Sequence, residues 1–196
     1  MKKICVFCGS SMGHNIIYKE ATEELARYFI KNDLTLIYGG ANVGLMKILA
    51  DIMLDSGKEV IGIMPHHLIE KEVAHTGLSE LIEVESMAER KEIMIQLSDA
   101  FIALPGGFGT LDEIAEVLVL DQLRIVEKPI GLLDVKDYFH HLIQYLRLGV
   151  DEGFIRQEHF DNLFYADNMN ELIKKMNQYQ PVGMAKWIKD IKTESI

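Results

Sequence analysis

Short apolar runs alternate along the chain with longer segments whose hydrophobic residues recur at helical spacing. The apolar runs are continuous, which is typical of strands covered on both faces. Strands are predicted at Lys3–Cys8, Leu34–Tyr38, Glu59–Met64, Leu81–Val84, Ala100–Leu104, Pro129–Leu133 and Leu163–Ala166, and helices at about Ile16–Lys31, Gly44–Ser56, Met87–Ser98, Thr110–Leu123, Tyr138–Glu152 and Met169–Gln178. This alternation predicts the doubly wound α/β class, an open parallel sheet with helices on both faces.

The length of the chain fits one domain followed by a tail. The 196 residues contain no internal repeat or linker, so residues 1–180 are predicted to form a single domain with its own core. Residues 181–196 are weakly patterned and are predicted to pack as a terminal helix or to fray. The longest connection without a helix or strand pattern runs from His66 to Leu81, and it is a candidate mobile loop.

Charge and cysteine content narrow the class of partner. A net charge of -10 argues against an extended nucleic-acid surface or docking to an anionic membrane, but a small anionic ligand needs only a local positive site. No segment has the length needed to span a bilayer.

Cys5 and Cys8 are the only cysteines, and residues three apart in a strand point to opposite faces. Buried thiols in a reducing cytoplasm are therefore expected.

Glycine and polar residues concentrate in the turns that follow the predicted strands. The turns are GSSMG (9–13), GGANVG (39–44), ESMAERK (85–91) and PGGFGT (105–110). In open α/β sheets, ligands bind outside the carboxyl ends of the strands, where all four turns would lie. Glycine also lets backbone N–H groups approach an anion closely. The sequence therefore predicts a ligand site at this edge of the sheet.

Several better-known motifs are incomplete or out of place. GSSMG matches the G-x-S-x-G nucleophile elbow with Ser11 as nucleophile, but that elbow normally lies inside a larger sheet, so a serine-rich ligand-binding turn is favoured. Neither GGANVG nor GGFGTLDE completes G-x-G-x-x-G, and no P-loop sequence occurs. The seven histidines show no ligand spacing for a metal. We expect neither a metal nor a cofactor.

Two segments have the spacing of a helix capping box. Thr110 with Glu113, and Ser86 with Glu89, each place a glutamate three residues after a hydroxyl side chain. On this pattern alone, two interpretations of Glu113 are open. Its carboxylate can accept a hydrogen bond from the Thr110 N–H at the start of the helix, or it can act on a ligand.

The predicted topology favours a role for Glu113 in ligand chemistry. Arg90 and Glu113 lie near the starts of consecutive helices that each follow a strand, so both belong on the edge that carries the glycine-rich turns. Lys91 is next to Arg90. Cationic groups, glycine N–H groups and one carboxylate around a cleft indicate a pocket for an anionic substrate, with an acid–base or charge-stabilising group beside it.

Two paired motifs carry a family resemblance. PGGFGTLDE (105–113) matches P-G-G-x-G-T-x-x-E, and MAERK (87–91) matches the M-x-x-R-K that precedes it. In these motifs, and through CVFCGSS, YGGANVGLM and KPIGLL over nearly the whole chain, the sequence resembles the LOG family of cytokinin riboside 5′-monophosphate phosphoribohydrolases, often mislabelled as lysine decarboxylases. It departs from the family pattern at Lys47, His66 and His67. The resemblance implies a Rossmann-like, nucleotide-binding sheet.

The resemblance also implies a reaction and a set of residues. A homodimer without a cofactor would hydrolyse the N-glycosidic bond of AMP or an N6-substituted AMP to free base and ribose 5-phosphate. Arg90 and Glu113 would be the catalytic pair. The nucleotide would be bound by Ser10, Gly40, Met87, Arg90, Lys91, Gly106, Gly107, Phe108, Gly109, Thr110 and Glu113. A module of the same fold that binds a nucleotide without cleaving it is the alternative.

Overall fold

One parallel sheet organises the molecule. The computed structural model describes residues 1–71 and 73–183. Its strands are β1 (Lys3–Phe7), β2 (Thr35–Tyr38), β3 (Val60–Pro65), β4 (Glu80–Val84), β5 (Ala100–Ala103), β6 (Ile130–Leu133) and β7 (Leu163–Ala166). Every neighbouring pair is parallel, and the order across the sheet is β4-β3-β2-β1-β5-β6-β7. The predicted Rossmann-like sheet is therefore confirmed.

Helices cover both faces of the sheet, as predicted. They are α1 (Ile16–Lys31), α2 (Gly44–Asp55), α3 (His66–Ile69), α4 (Met87–Leu97), α5 (Phe108–Gln122), α6 (His140–Asp151), α7 (Gln157–Asp161) and α8 (Met169–Met176). Phe29 of α1, Leu49 of α2 and Leu172 of α8 belong to the core on one face. Met94 of α4 and Val117 of α5 belong to the core on the other. Burial on both faces explains why the strands are apolar at consecutive positions.

The strand order reverses at β1, which pairs with β2 on one side and β5 on the other. Backbone hydrogen bonds bring the turns after β1, β2 and β5 together at this point. The Gly9 N–H donates to the Pro105 carbonyl at 3.1 Å, and the Leu45 N–H donates to the Gly9 carbonyl at 3.1 Å. A Cβ on Gly44 would lie 2.3 Å from the Ser10 carbonyl carbon, so only glycine permits this contact. A crevice at such a reversal is where open α/β sheets bind ligands.

The two predicted capping boxes have different outcomes. Ser86 caps α4 as predicted, because its Oγ accepts from the Glu89 N–H at 3.1 Å. The prediction that α5 starts at Thr110 is wrong, since α5 begins at Phe108 with Gly107 as its N-cap and no side-chain cap. Thr110 is therefore already inside the helix, and Glu113 is not part of a capping box.

The connection between β3 and β4 is more ordered than its sequence indicated. It begins with α3, and Ala74 forms an isolated antiparallel bridge with Ala41. We call residues 66–71 and 73–77 the strap. The helix α7 and a 3₁₀ turn at Val135–Asp137 were also not predicted.

Two further predictions concern the cysteines of the first strand and the C-terminal tail. Cys5 and Cys8 are buried, free and on opposite faces of the sheet, as predicted. Most of the predicted tail, residues 184–196, lies outside the described residues. Within the described ranges, none of the helices combines the length and hydrophobicity required to cross a bilayer.

Candidate active site

A cavity of about 280 Å³ opens at the carboxyl edge of the sheet, where the glycine-rich turns meet. Its wall combines an apolar part with a small charged part, as is usual for sites that bind small molecules. The lining residues come from six parts of the chain and are Val6, Cys8, Ser10, Gly39, Ala41, Val43, Met46, Met64, Leu68, Val73, Arg90, Gly107, Phe108, Gly109, Thr110 and Glu113.

Arg90 is held against the end of β3. It lies in the first turns of α4, and its Nε donates to the Ile63 carbonyl at 3.0 Å. A Cβ on Gly39 would lie 1.6 Å from Arg90 Nη2, so the guanidinium occupies space that any other residue at position 39 would fill. Gly39, in the turn after β2, therefore makes room for the buried cation.

Glu113 faces Arg90 across the cavity. Its Oε1 is 3.9 Å from Arg90 Nη1, and both side chains are only 11% exposed. Burial raises the pKa of Glu113 from 4.5 to about 7, although the nearby Arg90 opposes the increase. At neutral pH this carboxyl group is therefore close to the midpoint of its titration, which is where a general acid or base works best.

The start of α5 supplies an anion-binding surface next to Glu113. The first N–H groups of any helix have no partner within the helix, and here no side chain caps them. Gly107 and Gly109 leave these groups accessible, because a Cβ at either position would meet nothing within 4 Å. Thr110 is buried against Gly106, which fixes the turn. An anion bound here would lie about one helical turn from Glu113.

Tyr138 braces the same turn from the other side. Its hydroxyl donates to the Gly106 carbonyl at 2.6 Å. Two consecutive non-glycine residues before it, Lys136 and Asp137, have left-handed φ angles of 57° and 56°. Backbone of this kind is costly and tends to occur where it places a functional group. The brace was not predicted, because nothing in the local sequence pattern links Tyr138 to the turn after β5.

The structure brings most of the predicted site residues together, but not all of them. Gly40, Met87, Lys91 and Gly106 do not line the cavity. The Met87 sulfur lies 3.9 Å from Arg90 Nη1, and Lys91 is paired with carboxylates of α5 on the outer side.

The apolar part of the wall was missed by sequence reasoning. Val43 and Met46 follow the glycine-rich turn after β2, and that turn was the only local signal for them. Met64 is the last residue but one of β3 and was expected only to be buried. Leu68 and Val73 belong to the strap, whose sequence has no regular pattern. These five residues reach the cavity through tertiary contacts.

The chain has relatives among proteins of known activity. It is 42% identical over 182 residues to "Cytokinin riboside 5′-monophosphate phosphoribohydrolase LOG5" of Arabidopsis thaliana, covering 93% of this chain and 80% of that protein. It is 41% identical over 180 residues to the enzyme of the same name designated LOG1, also of Arabidopsis thaliana, covering 92% and 84%. Residues 46–176 match the protein family described as "Possible lysine decarboxylase".

Solved structures share the fold at lower identity. The molybdenum cofactor binding protein from the phototrophic bacterium Rippkaea orientalis is 22% identical, with a TM-score of 0.66 over 91% of this chain and 99% of that chain. The Moco carrier protein from Chlamydomonas reinhardtii is 18% identical, with a TM-score of 0.65 over 91% and 96%. These two structures show the fold alone, whereas the more similar sequences show the family. The chain belongs to the LOG family of cytokinin riboside 5′-monophosphate phosphoribohydrolases, the group also described as possible lysine decarboxylases.

Proposed function

We propose that this protein is a nucleoside 5′-monophosphate phosphoribohydrolase that cleaves AMP or an N6-substituted AMP to free base and ribose 5-phosphate. The observation that carries the proposal is the position of Glu113. A buried carboxyl group with a pKa raised to about 7 stands beside an arginine and one helical turn from an uncapped helix start. The relatives that act on cytokinin riboside 5′-monophosphates support the same substrate class.

The cavity suggests how the nucleotide is oriented. The 5′-phosphate would accept hydrogen bonds from the start of α5 and from Ser10, both of which line the cavity. The base would contact the apolar wall that includes Met46, Leu68 and Val73. Phe108 is 92% exposed at the cavity rim and would cover the bound ligand.

The other predicted binding residues would act indirectly. Gly106 shapes the phosphate turn against Thr110, and Met87 packs beside Arg90. Gly40 would hold the turn after β2, and Lys91 would hold α4 against α5.

The proposed chemistry follows from these positions. The Glu113 carboxylate would take a proton from a water molecule as the water oxygen bonds to C1′ of the ribose. The bond from C1′ to the base nitrogen breaks, and its electron pair leaves with the base, which takes up a proton from solvent as Glu113 releases its own to solvent. Positive charge builds on the ribose ring during this step, and a carboxylate nearby stabilises it. Arg90 would help to hold the substrate and balance the charge on the departing base.

Binding energy at the phosphate would be used to place C1′ against Glu113. An anchor of this kind raises turnover as well as affinity, because it fixes the reacting bond. Lysine decarboxylation by a pyridoxal-phosphate enzyme requires a lysine for the Schiff base. The described residues that line the cavity include no lysine, so the phosphoribohydrolase accounts for the site better.

We also propose that the protein is a cytoplasmic homodimer. Leu111, Val119, Leu123 and Ile125, which lie along α5 and just after its end, are exposed. A second copy that covers these residues would bury apolar surface on the helix whose start forms part of the cavity. The free, buried cysteines suit a reducing compartment. Equilibrium sedimentation of the purified protein tests the dimer, and a monomer at micromolar concentration would contradict it.

The reaction is tested by incubating the purified protein with AMP, N6-isopentenyl-AMP and adenosine, and measuring free base and ribose 5-phosphate by chromatography. We expect base release from one or both nucleotides and far slower release from adenosine. Glu113→Gln serves as the control for contaminating nucleosidases. Tight nucleotide binding without base release would instead identify a nucleotide sensor, and equal turnover of AMP and adenosine would exclude the phosphate anchor.

A further inference from the structure

The strap supplies a part of the cavity wall, and contacts with other segments of the chain hold it in place. Leu68 and Val73 line the cavity. The strap leaves the sheet at the end of β3, and it returns where Ser79 exchanges two hydrogen bonds with Val60, at 3.0 and 3.1 Å. Between these two anchors, the position of the strap depends on its contacts with other parts of the chain.

The strap lies on the glycine-rich turn after β2. The Asn42 N–H donates to the Val73 carbonyl at 2.8 Å, and the His75 N–H donates to the Gly40 carbonyl at 2.9 Å. The residue before Gly40 is the glycine that makes room for the guanidinium of Arg90. A shift of this turn would therefore disturb both the apolar wall and the space that Arg90 occupies.

The side chain of His75 ties the strap to α2. Its Nδ1 accepts the Gly77 N–H at 3.0 Å, so the ring proton is on Nε2, which donates to Asp51 Oδ1 at 2.9 Å. The other oxygen of Asp51 is 2.8 Å from the Nζ of Lys47. Burial alone would raise the pKa of Asp51, but the hydrogen bonds from His75 and Lys47 outweigh it and lower the pKa. The acceptor is thus an anion over the neutral range.

These contacts form a closed series that begins and ends at the turn after β2. The turn after β2 leads into α2, α2 carries Asp51, Asp51 binds His75, and the backbone of His75 returns to Gly40 of the turn. His75 is 9% exposed, and neither His75 nor Asp51 lines the cavity. The pair is therefore placed to fix the wall without touching a ligand.

We propose that His75 and Asp51 are positioning residues for the substrate cavity, holding the strap and its Leu68 and Val73 against the turn that adjoins Arg90. The inference rests on the proposed function for the identity of the ligand, AMP, but not for the mechanics of the strap. It assigns to His75 a role in substrate affinity rather than in the chemical step.

The variants His75→Ala, His75→Gln and His75→Asn separate the two hydrogen bonds of the ring. Glutamine can still donate to Asp51, whereas asparagine can replace only the acceptor for Gly77. We expect His75→Ala and His75→Asn to raise KM for AMP about tenfold with kcat changed less than about threefold, as for lost uniform binding. His75→Gln should remain near the wild type. The matched control is His67→Ala, which removes an exposed histidine of the strap.

Amide hydrogen exchange in the ligand-free protein tests the strap without any assumption about the reaction. Exchange at the Asn42 N–H, which donates to the strap, should be about tenfold faster in His75→Ala than in the wild type and unchanged in His67→Ala. Unchanged exchange would overturn the proposal even if AMP proves not to be a substrate. Faster exchange with unchanged KM, or an asparagine variant that equals the glutamine variant, would also overturn it.

Discussion

Two groups of ion pairs join α4 to α5, one centred on Lys91 and one formed by Arg90 with Glu113, and they differ in geometry and exposure. Lys91 Nζ lies 2.9 Å from Asp112 and 2.6 Å from Glu116 on the outer side of the helices. Arg90 and Glu113, one residue along on each helix, are 3.9 Å apart inside the cavity. Successive residues of a helix point about 100° apart, so neighbours in sequence face different surroundings.

The difference shows which pair is available for chemistry. Burial alone would lower the pKa of Lys91, but its two carboxylate partners outweigh this and raise it, so the ammonium group is held charged by Asp112 and Glu116. The inner pair is looser, and burial dominates the pKa of Glu113 despite Arg90. The short contacts of Lys91 suit helix packing, whereas the longer contact between Arg90 and Glu113 leaves both groups able to interact with a ligand.

The largest effect is expected from neutralising the inner carboxylate. Glu113→Gln should lower kcat for AMP by about 10² to 10⁴-fold while nucleotide binding persists, because a general base is lost without a change in shape. Steady-state kinetics and calorimetric binding measure the two quantities. The matched variant is Asp112→Asn, on the adjacent outer position. Comparable losses in both variants would contradict the distinction between the pairs.

Replacing the inner cation should have the next largest effect. Arg90→Lys should lower kcat/KM by roughly 10²-fold, because an ammonium group cannot both bind the Ile63 carbonyl and present a planar pair of donors to the cavity. The same kinetic assay with Lys91→Arg supplies the control on the neighbouring residue. Full activity of Arg90→Lys would show that the site needs only a positive charge.

The buried carboxyl group of Glu113 should also lower the free energy of unfolding as the pH rises. The native state holds a proton on Glu113 up to about pH 7, whereas the unfolded chain releases it above about pH 4.5. Stability is therefore lost as pH rises through this window. Glu113→Gln should increase the free energy of unfolding by about 2–3 kcal/mol at pH 8 and change it little at pH 4.5.

Urea denaturation at the two pH values measures this difference. Asp112→Asn, whose carboxylate is exposed, is the control and should show no comparable gain at pH 8. A Glu113→Gln variant that is equally stable relative to wild type at both pH values would contradict a raised pKa in the folded protein.

The smallest effect is expected from the outer cluster. Lys91→Met should change kcat/KM for AMP less than about threefold and lower the free energy of unfolding by about 1 kcal/mol or less, as is usual for partly exposed ion pairs. Kinetics and urea denaturation check both values. A loss of activity approaching that of Arg90→Lys would mean that Lys91 contacts the nucleotide directly.

Local patterns predicted most of the architecture. Continuous apolar runs such as Ala100–Ala103 identified the strands, because burial on both faces removes the polar alternation. The helix cap at Ser86 was predicted correctly, because its hydrogen bond is local, although Glu89 Oε2 accepts from the Glu85 N–H and not from that of Ser86. The prediction from the similar pattern at Thr110 was wrong, because α5 begins at Phe108 with Gly107 as its N-cap and Thr110 lies within the helix.

The sequence by itself determined the sheet class, the edge at which the cavity opens and the presence of Arg90 and Glu113 on that edge. These features follow from periodicity and from the geometry that parallel strands share. Only the tertiary structure decided that Lys91 pairs with Asp112 and Glu116, that Tyr138 bonds to the turn after β5, and that His75 reaches Asp51 from 24 residues away. Such contacts join segments distant along the chain, and their distances and burial exist only once the sheet has brought those segments together.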